Sequence, residues 1–265
     1  EIYTLSLHDA LPIWSAIALA VFLIRREWRA AATMAGTAAG ITAACWLADP
    51  KSSRRFFASA MLDPSRTGFA EYAGNQNLRG TIARLLPEPW WTPLWAVCAA
   101  LVLAGGWLVC RRLERLRATA GPARRDQGVI LALELGAVMV TGLLVSPVSW
   151  SHHWVWALEV LLALGAAARA WRSGALAAVT VAGAVVIGVG IHWSFPFQSH
   201  AEFAWPLWQK LAGSGYTWWA LLAGAVLARA ARRRRIAAAA TSAGAVGDSQ
   251  GSRARDAVLR EVRAR

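Results

Sequence analysis

The chain has 265 residues, of which 57% are hydrophobic and only 16% charged, and its mean hydropathy is +0.39. That balance excludes an ordinary soluble domain and predicts an all-α integral membrane protein. The formal net charge of +13 is nearly all arginine. In a soluble protein it would suggest nucleic acid, but here the arginines cluster between apolar runs, as in cytoplasmic loops, so no nucleic-acid partner is expected.

The first residues, Glu1–Ile13 (EIYTLSLHDALPI), read as the in-frame translation of a short-read sequencing adapter. They are set apart from the fold as foreign. A multispanning membrane domain is expected over residues 14–235. A membrane helix needs about 20 apolar residues. The first run, Leu11–Ile24, is short and ends at Arg25, Arg26 and Arg29. The second covers Ala30–Ala48 and stops at Asp49-Pro50. The polar stretch 50–89 follows. Further runs cover Trp90–Cys110, Gln127–Val145, His153–Ala168, Gly174–Ile191 and Tyr216–Ala230. This gives about seven transmembrane helices, with a second long loop at 192–215. Residues 236–265 are rich in Ala, Ser, Gly and Arg and are expected to form a disordered tail. Cys45, Cys98 and Cys110 lie in or beside apolar runs and read as packing residues, without a disulfide framework.

Orientation follows from the basic residues. Residues 25–29, 111–126 and 169–173 and the tail from Arg229 hold most of the 28 Lys+Arg. The expectation is a multi-pass plasma-membrane protein with a cytoplasmic C-terminus and loops 50–89 and 192–215 outside. Trp90, Trp91, Trp150, Trp205, Trp208, Trp218 and Trp219 then fit an interfacial belt.

The outer end of the fourth run carries SPVSWSHHWVW (Ser146–Trp156). Pro147 breaks the helix, and the next one is predicted to start at Ser149 or Ser151, both good N-caps. A helix N-terminus offers free N–H groups and partial positive charge, which suit an anion. His152 and His153 fall in its first turn and can donate to a phosphate or accept a proton. Trp150 and Trp154 offer flat faces to a sugar or lipid. The arrangement suits a lipid-linked phosphate, although plain interfacial capping would use the same residues. Adjacent helical histidines point about 100° apart, so no metal site is expected.

Loop 50–89 contains YAGNQNLRG (Tyr72–Gly80). Arg79 can pair with a phosphate or with sugar hydroxyls. Asn75, Gln76 and Asn77 line up donors and acceptors as carbohydrate recognition does; a solvated loop with a helix starting at Asn77 is the plainer reading. Loop 192–215 holds His192, His200, Glu202 and Lys210 among aromatics. It reads either as a cover for an acceptor groove or as an amphipathic re-entrant segment. Glu134 and Glu159 lie inside apolar runs, where carboxylates are costly. No basic partner for them is apparent.

Through Ser146–Trp156 and the NQNLRG string (Asn75–Gly80), the chain resembles glycosyltransferase family 87 of actinobacteria. The resemblance implies the C-terminal part of a GT-C-like bundle with its active site in outer loops. It implies an inverting mannosyltransferase using polyprenyl-phosphate-mannose and a glycolipid acceptor of the phosphatidylinositol mannoside or lipomannan type. The lipid-linked sugar is the donor, and no cofactor is implied. His152 and His153, with Ser149, Trp150, Ser151 and Arg79, are expected to meet the donor phosphate and sugar. Asn75, Gln76 and Asn77 are expected to meet the acceptor sugar. The family's base is an Asp in a first outer loop, which would precede Trp14, so the polypeptide as it stands is expected to be inactive. The outer acids Asp49, Asp63, Glu71, Glu88 and Glu202 carry no motif that marks a base. The alternatives are a transporter or flippase for a lipid-linked substrate, with a polar path joining Glu159 to Glu134, and a non-catalytic scaffold.

Overall fold

The computed structural model describes residues 19–59, 68–119 and 124–238. Glu1–Ile13, Asp63 and the tail from residue 239 lie outside the described residues. Helices come in the order α1 (Leu19–Ile24), α2 (Trp28–Ala48), α3 (Pro50–Ala58), α4 (Leu78–Leu85), α5 (Trp91–Thr119), α6 (Arg124–Val145), α7 (Trp156–Ala170), α8 (Gly174–Val189), α9 (Leu207–Ala212) and α10 (215–238). Short 3-10 turns occupy Glu88–Trp90, Ser151–Val155, Ile191–Ser194 and Ala201–Ala204.

Four helical stretches are long and apolar enough to cross a membrane: Trp28–Ala48, Glu88–Ala118, Asp126–Val145 and Gly174–Ser194. The other predicted runs appear as α1, α7 and α10. The fifth run is a 15-residue α-helix behind a 3-10 turn, shorter than the predicted span.

Consecutive helices α5, α6, α7 and α8 pack as antiparallel neighbours. α10 closes the bundle. Trp219 donates from Nε1 to the Val179 carbonyl (2.9 Å), and the Tyr216 hydroxyl to that of Ile187 (2.9 Å), both on α8. Arg112 of α5 reaches the Ala228 carbonyl. The shared core includes Leu113, Leu133, Leu143, Leu164, Leu176 and Leu227. Glycine lets two of these helices touch: a Cβ on Gly183 would run into the Trp219 ring, a contact that demands the smallest residue. Gly190 ends α8 in the left-handed region, at φ +55°. The outside of the bundle is apolar, with Leu101, Leu158, Leu162, Val185 and Leu222 exposed. Lipid is the solvent that suits such a surface. α2 stands apart, with Ala31 as its one buried residue.

Chain alternation puts Arg111, Arg112, Arg115, Arg117, Arg169, Arg172 and Arg232–Arg235 at one end of the bundle. Loops 68–90, 146–155 and 190–214 gather at the other. One expectation is corrected: Glu134 does have a basic partner, Arg25 in the turn just after α1, at 3.5 Å. Its position two residues from Gly136 matters as well. Glu159 lies against Gly136, and two residues is about 200° around α6. The body of α6 therefore lies between the two carboxylates.

Candidate functional site

The three loops at the arginine-poor end are knitted together by buried polar groups. Residues 74–76 run antiparallel to 149–151, with an isolated bridge between Asn75 and Trp150. The Gln76 amide N–H donates to the Ser149 carbonyl (2.9 Å), and that of Ser151 to the Gly74 carbonyl (2.8 Å). Around this bridge, Asn75, Gln76 and Asn77 are all fully buried. Asn75 donates to the Ala70 carbonyl and accepts from the Ser149 amide. Gln76 donates to the carbonyls of Ala73 and Gly213, each at 2.7 Å. Asn77 donates to the Ser146 carbonyl and caps α4 by accepting from Gly80 N–H at 2.7 Å. The structure thus places these three amides inside, as ties between loops, rather than facing a sugar. The helix predicted to start at Asn77 is α4.

The Ser-Trp-Ser-His-His segment also differs in detail from expectation. Neither Ser149 nor Ser151 caps a helix. The 3-10 turn Ser151–Val155 follows Trp150 with no side-chain cap. Ser149 is fully buried and its hydroxyl donates to the Leu143 carbonyl. Because Ser151 N–H is held by Gly74, one of the free donors expected for an anion is already engaged. Trp154 is buried, with its indole N–H on the Gln76 carbonyl (3.0 Å), so it offers no face to a sugar. His152 is exposed and His153 half-buried, their rings edge-on at 4.4 Å. Trp150 is half-buried and meets Tyr72 edge-on at 5.5 Å.

Tyr72 is the hub of an aromatic cluster. Trp193 and Phe197 also meet it edge-on, at 6.0 and 6.2 Å. Gly74 permits this, because a Cβ there would stand about 3 Å from both Tyr72 and Trp193. His192 is buried between Trp193 and Tyr216.

Sequence reasoning missed Arg84, which is almost completely buried. Its guanidinium donates to the carbonyls of Glu71, Tyr72 and Asn75 and to the Ser214 hydroxyl. Burial pulls its pKa down to about 10, while Glu202 and Glu71 pull it back up. It stays a cation at neutral pH. Glu202 is buried too and accepts from Ala73 N–H at 2.8 Å; burial raises its pKa. Glu71 pairs with His200 at 2.5 Å. The one sequence signal for Arg84 was its setting, TIARLL, a charge among apolar neighbours.

Arg79 is half-buried. Its Nε is buried without a hydrogen-bond partner, and desolvation lowers its pKa. It is the predicted phosphate ligand that keeps an uncommitted donor. Of the outer acids, Asp49 caps α3 by accepting from Ser52 N–H, Glu71 and Glu202 are buried, and Glu88 is exposed.

Directly after the two histidines an open groove of about 600 Å³ runs along α6 and α7. It starts at Val155 and Trp156 and continues past Leu158, Leu162 and Ala166 to Gly128. Its one charged lining residue is Glu159. A polar, histidine-bearing turn thus stands at the head of a long apolar channel open to lipid.

Comparison with known proteins gives a consistent result. Glycosyltransferase family 87 matches residues 4–147. The chain is 34% identical over 221 residues to a polyprenol-phosphate-mannose-dependent alpha-(1-2)-phosphatidylinositol mannoside mannosyltransferase of Mycobacterium tuberculosis, covering 82% of this chain and 48% of that one. The protein with the same description in Mycolicibacterium smegmatis is 35% identical over 218 residues, with the same two shares. A phosphatidylinositol pentamannoside mannosyltransferase of Mycolicibacterium smegmatis is 32% identical over 148 residues, 56% of this chain and 33% of that one. The chain spans about half the length of the first two relatives. No solved structure matches.

Proposed function

The chain belongs to glycosyltransferase family 87, and from that membership we propose that it serves a membrane mannosyltransferase acting on lipid-linked substrates. The donor is polyprenyl-phosphate-mannose, and the acceptor is a glycolipid of the phosphatidylinositol mannoside or lipomannan type. The observation that carries the reading is the apolar groove that begins at Val155 and Trp156, where the turn bearing His152 and His153 ends. An isoprenoid phosphate has a charged head and a long apolar tail, and that groove offers one setting for each.

The reaction needs no cofactor. An acceptor hydroxyl attacks the anomeric carbon, a base takes its proton, and the bond from that carbon to the phosphate oxygen breaks with its electrons leaving on the phosphate. We assign what the leaving group requires to three residues of the loop-bearing end. An imidazole N–H of His152 or His153 donates to the phosphate as its charge grows, and Arg79 adds a cation. Trp150 and its aromatic neighbours hold the turn in place. We assign the base to no residue of this chain. The positive-inside pattern supports a plasma-membrane protein with its arginine-rich end in the cytoplasm and the site outside. A transporter gains no support from the relatives, and the separation of Glu134 from Glu159 removes its relay.

The test is a chimera. This chain replaces the matching half of the Mycolicibacterium smegmatis relative, and mannose transfer from polyprenyl-phosphate-mannose to phosphatidylinositol mannosides is followed in membranes. Mannolipid product is expected. A chimera that inserts and folds but makes none would refute the reading.

A further inference from the structure

A second cleft at the loop-bearing end, of about 380 Å³, lies between the end of α4, the start of α5, the turn Ala201–Ala204 and α9. We propose that it holds the headgroup of an anionic inositol phospholipid, and so is where the acceptor lipid docks. The identity of that lipid as acceptor rests on the mannosyltransferase reading. The binding itself does not.

The cleft has the parts such a headgroup needs. Lys210 lines it and forms no ion pair or side-chain hydrogen bond among the described residues. It is also out of keeping with its surroundings, being the one Lys or Arg between Arg172 and Arg229, on the side where the positive-inside pattern makes cations scarce. Arg84 lines the cleft too, but each of its three nitrogens already donates to Ser214 or to a backbone carbonyl. Lys210 is therefore the cation left for a phosphate.

Two further features select a polyol over a bare phosphate. Trp91 and Phe203 form one wall, stacked with centroids 6.1 Å apart and planes 19° from parallel. Trp91 is fixed by its indole N–H on the Leu86 carbonyl (2.8 Å). Such flat apolar faces suit the C–H face of a sugar or inositol ring. Glu88, exposed in the same cleft, accepts from ring hydroxyls and would repel a second phosphate.

The rim commits the site to a lipid rather than a soluble sugar phosphate. Leu86, Trp90, Leu207 and Trp208 are exposed beside it, Leu207 at 64% and Trp208 at 61%. α5 enters the apolar zone immediately below. A headgroup seated here leaves its acyl chains on that rim, at the depth where tryptophan prefers to sit.

The full chain in detergent micelles is offered dioctanoyl phosphatidylinositol, dioctanoyl phosphatidic acid, dioctanoyl phosphatidylcholine and soluble inositol 1-phosphate, and bound ligand is counted by native mass spectrometry. Phosphatidylinositol is expected to bind at least about tenfold more tightly than the other three. Lys210→Ala should remove most of that preference and Lys210→Arg should restore it. Phe203→Ala should bring phosphatidylinositol down to the level of phosphatidic acid. Lys51→Ala, on α3, should change nothing. Equal binding of phosphatidylinositol and phosphatidic acid by the unaltered chain, equal binding of inositol 1-phosphate, or a Lys210→Ala variant that behaves as the unaltered chain would each overturn the proposal. No sugar donor is present, so a failure of mannose transfer and a failure of this binding are separate results.

Discussion

Arg84→Ala is expected to destabilise the folded chain by about 3–5 kcal/mol, the cost of removing one partner from a buried charge network. The carbonyls of Glu71, Tyr72 and Asn75 would lose a donor inside the fold. The buried carboxylates of Glu71 and Glu202 would lose the cation beside them. Because Asn75 also holds Ser149, the damage should spread to the turn bearing the histidines. Arg84→Lys should recover only part of the loss, since a point charge cannot reach four acceptors in one plane. Denaturation of the chain in mixed micelles, followed by circular dichroism, measures this. A shift below about 1 kcal/mol, the size of a typical net hydrogen bond, would mean that the network is not what holds the loops together.

The second large effect concerns activity without stability. In the chimera, replacing both His152 and His153 by alanine is expected to lower the rate of mannose transfer by about 10²-fold or more, the usual effect of losing a group that donates to developing charge. The loss should fall mainly on kcat, because the charge on the phosphate grows only as the glycosidic bond breaks. His152 is exposed and His153 half-buried, so the unfolding midpoint should stay close to that of the parent. This opposes the Arg84 pattern, where fold and activity fail together. A double variant with full activity would remove the histidines from the chemistry.

The helices were legible because apolar run length is read directly from residue types. The run Gln127–Val145 became α6, Arg124–Val145, and the run Gly174–Ile191 became α8, Gly174–Val189. α5 outran its apolar segment, continuing from Cys110 to Thr119. Leu113 and Leu116 are buried there, and Glu114 and Arg117 pair at 2.6 Å one turn apart, so tertiary packing carried the helix on. The family resemblance drawn from SPVSWSHHWVW and NQNLRG agrees with the family found by comparison.

Side-chain direction in the loops was not legible. Asn75, Gln76 and Asn77 look like carbohydrate ligands by type, and any stretch of amides does. Their partners are the carbonyls of Ser146 and Gly213 and the amide of Ser149, which sequence cannot bring near. Ser149 and Ser151 failed as caps for a related reason. The bridge to Gly74 and Asn75 holds this segment extended through Trp150, and a 3-10 turn follows. Arg84 went unmarked because a buried charge is recognised by its surroundings, and these come from two loops far apart in sequence, around Glu71–Asn75 and Glu202–Ser214. Arg79 kept an uncommitted donor, its Nε, because no acceptor of the surrounding loops reaches it.

The central claim is that the head of the α6–α7 groove receives the donor's phosphate while the groove takes the start of its isoprenoid tail. A polyprenyl-phosphate-mannose analogue with a diazirine on its first isoprene unit, photolysed in membranes containing the chain, tests this by mapping the adducts. Labelling is expected on residues 155–162, lost when unmodified donor is added in excess. Labelling confined to the other apolar cleft, around Leu101–Val109 and Trp219–Ala228, with 155–162 untouched, would contradict it.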